Sequence, residues 1–159
     1  MNRKLSYIGV LSALAIVIGY LEQMIPMPSA VPGIKLGLSN IAVLLAFYKL
    51  DSKSAFGIAV IKAFACGLLF WGVGGLLYSL GGSIAAYLAM LAAQKIKSIS
   101  VIGVSVLGAV AHNFGQLVVL FFMSGSFSFI YYICILGLAA VATGIITGIV
   151  AKQILRNLN

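Results

Sequence analysis

Lys62 stands inside an apolar stretch, with Ile58–Ile61 before it and Ala63–Leu69 after it. An ammonium in apolar surroundings costs several kcal/mol unless it is paired or hydrated. Two readings follow. The stem carries the charge back toward the aqueous interface, or the lysine faces an internal cavity and takes its counter-charge from a ligand. The chain has two carboxylates, Glu22 and Asp51, and both fall near the ends of apolar segments. A mid-membrane carboxylate partner for Lys62 is therefore not expected.

A second concentration of chemistry is Ala111-His112-Asn113-Phe114-Gly115-Gln116. His112 and Gln116 share a helix face at i and i+4, and Asn113 lies within the same turn. Such groups either bond neighbouring helices together or line a hydrated, ligand-bearing face. The third concentration is Pro32-Gly33-Ile34-Lys35-Leu36-Gly37-Leu38-Ser39-Asn40, where Lys35 and Asn40 are expected in the outer leaflet with His112 and Gln116. Tyr78, Ser79 and Ser83 are candidates to complete an outward-facing pocket, since ligand pockets are mostly apolar with a few convergent polar groups. Ser79 and Ser83 fit helix packing equally well.

The elements that must position these groups follow from composition. Apolar residues make up 63% of the chain and charged residues 8%, against roughly 25% charged in a soluble domain. The 159 residues suit one domain, 1–159, with room for six membrane-spanning helices. The expected spans are roughly 5–21, 34–49, 54–71, 74–94, 99–123 and 128–151, an all-α bundle. Pro26, Pro28 and Pro32 mark an outer loop over 22–33, because proline removes donors and favours extended backbone. The opening Arg3-Lys4 and Leu5–Leu21 resemble a signal peptide but read as an uncleaved first helix.

The formal charge of +8 does not point to nucleic acid. The basic residues flank apolar segments in pairs, as topology signals do. With the N-terminus inside, eight of the ten (Arg3, Lys4, Lys49, Lys53, Lys95, Lys97, Lys152 and Arg156) lie on the cytoplasmic side. The positive-inside rule gives N-in and C-in. Small residues at four-residue spacing offer helix-packing faces: Ala140, Gly144 and Gly148; Ala85, Ala89 and Ala93; Gly9 and Ala13, with Ala15 and Gly19 on a second face.

Several chemistries lack their residues. Gly72-Val73-Gly74-Gly75 has neither the lysine nor the hydroxyl of a phosphate loop. Cys66 and Cys134 have no neighbouring ligands, so neither a disulfide framework nor a metal site is expected. Ser124-Gly125-Ser126 lacks a nucleophile-elbow context.

The stretches Pro32–Asn40 and Ala111–Gln116 resemble the bacterial Gx transporter family, also labelled heptaprenyl diphosphate synthase component I, over nearly the whole chain. That family is similar to the S components of energy-coupling factor transporters. The resemblance implies a six-helix fold, a pocket opening outward, and a first external loop (Gln23 to Gly33) acting as a lid. It further implies a first helix docked through Gly9, Ala13 and Ala15 on a transmembrane coupling protein. That protein carries a pair of cytoplasmic ATPases, so ATP is used by partners and no cofactor by this chain. The expected location is the bacterial cytoplasmic membrane. The ligand would be a small, partly anionic molecule related to a vitamin, an isoprenoid or a quinone. The expected ligand set is Lys35, Asn40, Lys62, Tyr78, Ser79, His112, Asn113 and Gln116. The alternative is a noncatalytic membrane subunit assisting heptaprenyl diphosphate or quinone synthesis. Prenyl diphosphate synthases hold magnesium through aspartate clusters, and two distant acids build no such site, so no catalytic residue is assigned.

Overall fold

The computed structural model describes residues 3–24, 37–126 and 132–157. Their helices are α1 (Arg3–Gln23), α2 (Asn40–Lys49), α3 (Ser52–Leu69), α4 (Gly72–Ala93), α5 (Val101–Ser124) and α6 (Tyr132–Asn157). Among the described residues five helices are long and apolar enough to cross a membrane, all but α2. The all-α bundle expected from composition is what forms.

Three boundaries differ from the expected spans. Segments three and four form one run, Ser52–Ala93, broken only at Gly72. Its backbone (φ 63°, ψ −152°) is one that only glycine adopts readily, so one residue makes the kink where a short loop was expected. The last helix runs on to Asn157, past the expected end at 151. Segment two is the largest correction. The span expected over 34–49 is a ten-residue helix beginning at Asn40, preceded by a turn at Leu38–Ser39; residues 34–36 lie outside the described residues. At the helical rise it is about 15 Å long, half the hydrocarbon thickness.

α2 is also the centre of the bundle. Asn40 through Phe47 are all buried, and α2 contacts α1, the α3–α4 run, α5 and α6. A helix apolar on every side belongs inside. Around it, small residues set the spacing. A methyl group on Gly144 or Gly148 of α6 would fall 2.6 Å from the Val106 α-carbon or 2.8 Å from that of Ile102 on α5. The Ala140–Gly144–Gly148 stripe thus packs within the bundle, where the Ser105 and Thr147 hydroxyls also bond at 2.8 Å.

Eight of the ten basic residues gather at one end. Lys4 of α1 pairs with Asp51 at 2.6 Å. Gln94, just past α4, donates to the Ser52 hydroxyl, and one apolar cluster joins Leu50, Ile99 and Ile154. This is the end that the positive-inside rule assigns to the cytoplasm in the sequence reading. Asp51 also caps α3, accepting from the Ser54 N–H at 2.8 Å. The Lys4 ammonium, followed by the Ser54 backbone bond, lowers the Asp51 carboxyl to about 2.

Candidate functional site

Because α2 is short, its first residue lies deep. Asn40 sits about 15 Å above the basic end of α2, and Lys62 lies roughly the same distance along α3. The two meet there: the Lys62 ammonium donates to Asn40 Oδ1 at 2.5 Å. Lys62 is 2% exposed, so it does not reach back to the interface. The lysine side chain is thus held inside the bundle on an amide oxygen, and Asn40 belongs at mid-depth rather than in the outer leaflet.

The turn before α2 ties this pair to two more helices. Gly37 has φ 81°, a left-handed conformation, and its N–H donates to Glu22 Oε1 of α1. A Cβ on Gly37 would lie 3.0 Å from Asn40 Nδ2 and 3.4 Å from His112 Cδ2, so its bare α-carbon lets the turn sit against both. His112 and Gln116 of α5 press in turn on Gly82 of α4, where a Cβ would fall 2.8 Å and 2.9 Å from their atoms. Asn113 reaches the far side, donating to the Leu136 carbonyl of α6 at 3.1 Å.

Glu22 is the correction that matters most. It was expected in an outer loop, yet its side chain is 5% exposed and faces the bundle. The face that carries it is legible at helical spacing: Ser12, Ala15, Gly19 and Glu22 are the buried residues of α1. A Cβ on Gly19 would fall 2.6 Å from Cys66 Sγ, so α1 packs directly on α3 one turn above Lys62.

Of the expected ligand residues, Asn40, Lys62, Ser79, His112, Asn113 and Gln116 are each 4% exposed or less. Tyr78 packs in a separate apolar cluster with Leu120 and Leu136. Lys35 and most of the expected lid, 25–33, lie outside the described residues. Of the expected docking residues, Gly9 and Ala13 are exposed on α1. Ala15 is fully buried against the core, because it shares the face of Ser12 and Gly19. Gly37, Gly82 and Glu22 complete the arrangement and were not expected in it.

Three buried atoms in this cluster have no hydrogen-bond partner among the described residues: Asn40 Nδ2, Ser83 Oγ and Asn113 Oδ1. Each such atom costs about 1–3 kcal/mol when dry and unmatched, and native structures hold few of them. Ser83 also lies in a shallow groove between α3 and α4, with Phe56, Val60, Ile84 and Tyr87. Among the described residues no three His, Cys, Asp or Glu side chains gather where a metal ion would bind. The chemistry on offer is recognition: an ammonium, amides, hydroxyls and an imidazole at mid-depth, enclosed by apolar walls.

A helical bundle with five spanning helices around a buried half-length helix, charged at one end and polar at its centre, defines a multi-pass membrane protein. Residues 11–154 match the family heptaprenyl diphosphate synthase component I, and the chain belongs to that family. No curated protein and no solved structure matches it.

Proposed function

We propose that this chain is the substrate-binding membrane subunit of an uptake transporter of the energy-coupling-factor type, working in a bacterial cytoplasmic membrane. The observation that carries the reading is the polar cluster at the start of α2, with the unmatched atoms of Asn40, Ser83 and Asn113 buried inside it. Polar groups at membrane depth that neither neutralise nor pair completely mark a ligand or ion site. The ligand is a small, partly anionic molecule, held by Lys62, Asn40, His112, Asn113 and Gln116, with Ser79 and Ser83 from α4.

The chain itself is not catalytic in this reading. Its two acids belong to opposite ends of α1, Glu22 near one end and Asp51 on Lys4 at the other, roughly 27 Å apart at the helical rise. Magnesium-bound diphosphate needs clustered carboxylates. Energy would come from ATP hydrolysed by two partner ATPases through a coupling protein docked on the exposed Gly9–Ala13 face of α1. The family's description favours a second reading, a noncatalytic membrane subunit that assists prenyl diphosphate synthesis.

Native mass spectrometry of the purified protein tests the ligand site: a retained small molecule is expected, and a bare chain under gentle extraction overturns the reading. Co-purification separates the two readings, a coupling protein with ATPases supporting the first and a soluble prenyl synthase subunit the second. Gly9→Leu with Ala13→Leu is expected to abolish the first complex while leaving the isolated protein folded, since nothing lies within 4 Å of a Cβ at Gly9.

A further inference from the structure

Glu22 and Asp51 are the chain's two acids, and both fasten α1 to the ends of α2. Asp51 follows α2 and holds Lys4, near the inner end of α1. Glu22, at the outer end of α1, accepts from Gly37, which precedes α2. The second contact is at the polar cluster. Around it stand the Gly37 N–H, the amino-terminal end of a ten-residue helix, the Asn40 amide and, bonded to that amide, the Lys62 ammonium. A backbone N–H with a side-chain amide and a cation beside it is a donor set that an oxyanion can use; the first two N–H groups of α2, on Asn40 and Ile41, are taken by the Gly37 and Leu38 carbonyls. Asn40 Nδ2, on a side chain 4% exposed, has no hydrogen-bond partner among the described residues and lies 3.0 Å from where a Gly37 Cβ would be. It adds a donor on the same side.

We propose that the Glu22 carboxylate is a resident stand-in at an anion site, and that the ligand carries a carboxylate that exchanges with it. The inference rests on the ligand-site reading above and adds the ligand's anionic group and the residue that competes with it. Exchange breaks the Glu22–Gly37 contact and loosens the outer end of α1, while Lys4–Asp51 holds the inner end. α1 is suited to that movement: 22% of its membrane window is buried, the lowest share of the five spans.

The test is rescue by a free carboxylate. Glu22→Ala removes a fragment equivalent to acetate and leaves the donors in place. Purified in detergent, this variant is expected to unfold at a lower temperature than the parent. Sodium acetate should restore most of the loss, while sodium chloride at equal ionic strength and neutral acetamide should not. The parent, whose site is filled, should not respond. Adding Lys62→Met to Glu22→Ala should abolish the acetate effect. If Glu22→Ala does not yield folded protein, Glu22→Ser takes its place under the same criterion. Equal melting in acetate and chloride overturns the proposal. A molecule retained by the parent that lacks a carboxylate also overturns it, and leaves the ligand-site reading standing. Acetate rescue with no retained molecule does the reverse.

Discussion

Lys62 and Asn40 form a buried pair whose two halves carry unequal costs, and that inequality can be measured. Lys62→Met keeps most of the stem's volume and deletes the charge. It leaves Asn40 Oδ1 without its donor, which costs about 1–3 kcal/mol. Against this, an ammonium 2% exposed no longer has to be held out of water, a gain of several kcal/mol. The variant is expected to match the parent within about 1 kcal/mol or to exceed it. Asn40→Leu does the opposite: it keeps the buried ammonium and removes an acceptor 2.5 Å away. Breaking a buried charged contact from one side costs about 3–5 kcal/mol. Removing the unmatched Nδ2 returns about 1–3 kcal/mol. The net loss is about 2 kcal/mol, of opposite sense to Lys62→Met. In the double variant the pair becomes apolar, and stability should return toward that of Lys62→Met, a coupling well above the few tenths seen between independent sites. Thermal unfolding in a single detergent, read for the four proteins, measures the cycle. Strict additivity, or an Asn40→Leu protein more stable than Lys62→Met, would refute the buried-pair argument.

Gly144→Ile should destabilise the bundle by about 1–3 kcal/mol through overpacking against the α5 backbone; Gly137→Ala, with open space around its Cβ, should be neutral in the same unfolding assay. Asp51 has a carboxyl lowered from 3.8 to about 2, so its stabilising contribution is present above pH 4 and lost as pH falls through about 2. Asp51→Asn should therefore melt below the parent at neutral pH and alongside it near pH 2. For sidedness, cysteines placed at Ser126 and at Lys97, in a background lacking Cys66 and Cys134, are expected to differ: an impermeant thiol reagent on intact cells labels position 126 alone. Labelling of position 97 alone would invert the bundle.

Much of this fold is written in its hydropathy. Long apolar runs bounded by lysine and arginine pairs give the spanning helices and collect the charge at one end. The polar residues inside those runs gave most of the cluster, since Lys62, His112, Asn113 and Gln116 have no reason to stand there on a lipid-facing surface. What hydropathy hides is where an apolar run stops being helix. Residues 34–49 are as apolar as a span, and the break is carried by Gly37-Leu38-Ser39-Asn40, a turn and helix start of ordinary composition. Reading through that break places Asn40 in the outer leaflet, well away from the lysine it bonds. Glu22 was missed for a related reason. An acid at the end of an apolar segment reads as interfacial, although its register with Ser12, Ala15 and Gly19 puts it on the buried face. That register holds Ala15 inside too and leaves Gly9 and Ala13 outward.

The short central helix is the physical origin of the site. A helix that begins halfway across a membrane must have its first N–H groups received by protein, since no water is there; in α2 the Gly37 and Leu38 carbonyls receive those of Asn40 and Ile41. Such an end persists only where protein or a hydrated cavity surrounds it. Here α1, α3, α4 and α5 close around it, with the Glu22 carboxylate on the Gly37 N–H, the Lys62 ammonium on the Asn40 amide, and the His112 ring against Gly37. Discontinuous helices pointing their amino-terminal ends at an anionic group are how transporters place a binding site at the midplane. A chain that needed only six packed helices would gain stability by extending α2 back through residues 37–39 and replacing Lys62 with leucine. Keeping the break, the cation and the inward-facing acid together is costly for a scaffold, and the ligand site proposed above accounts for that cost.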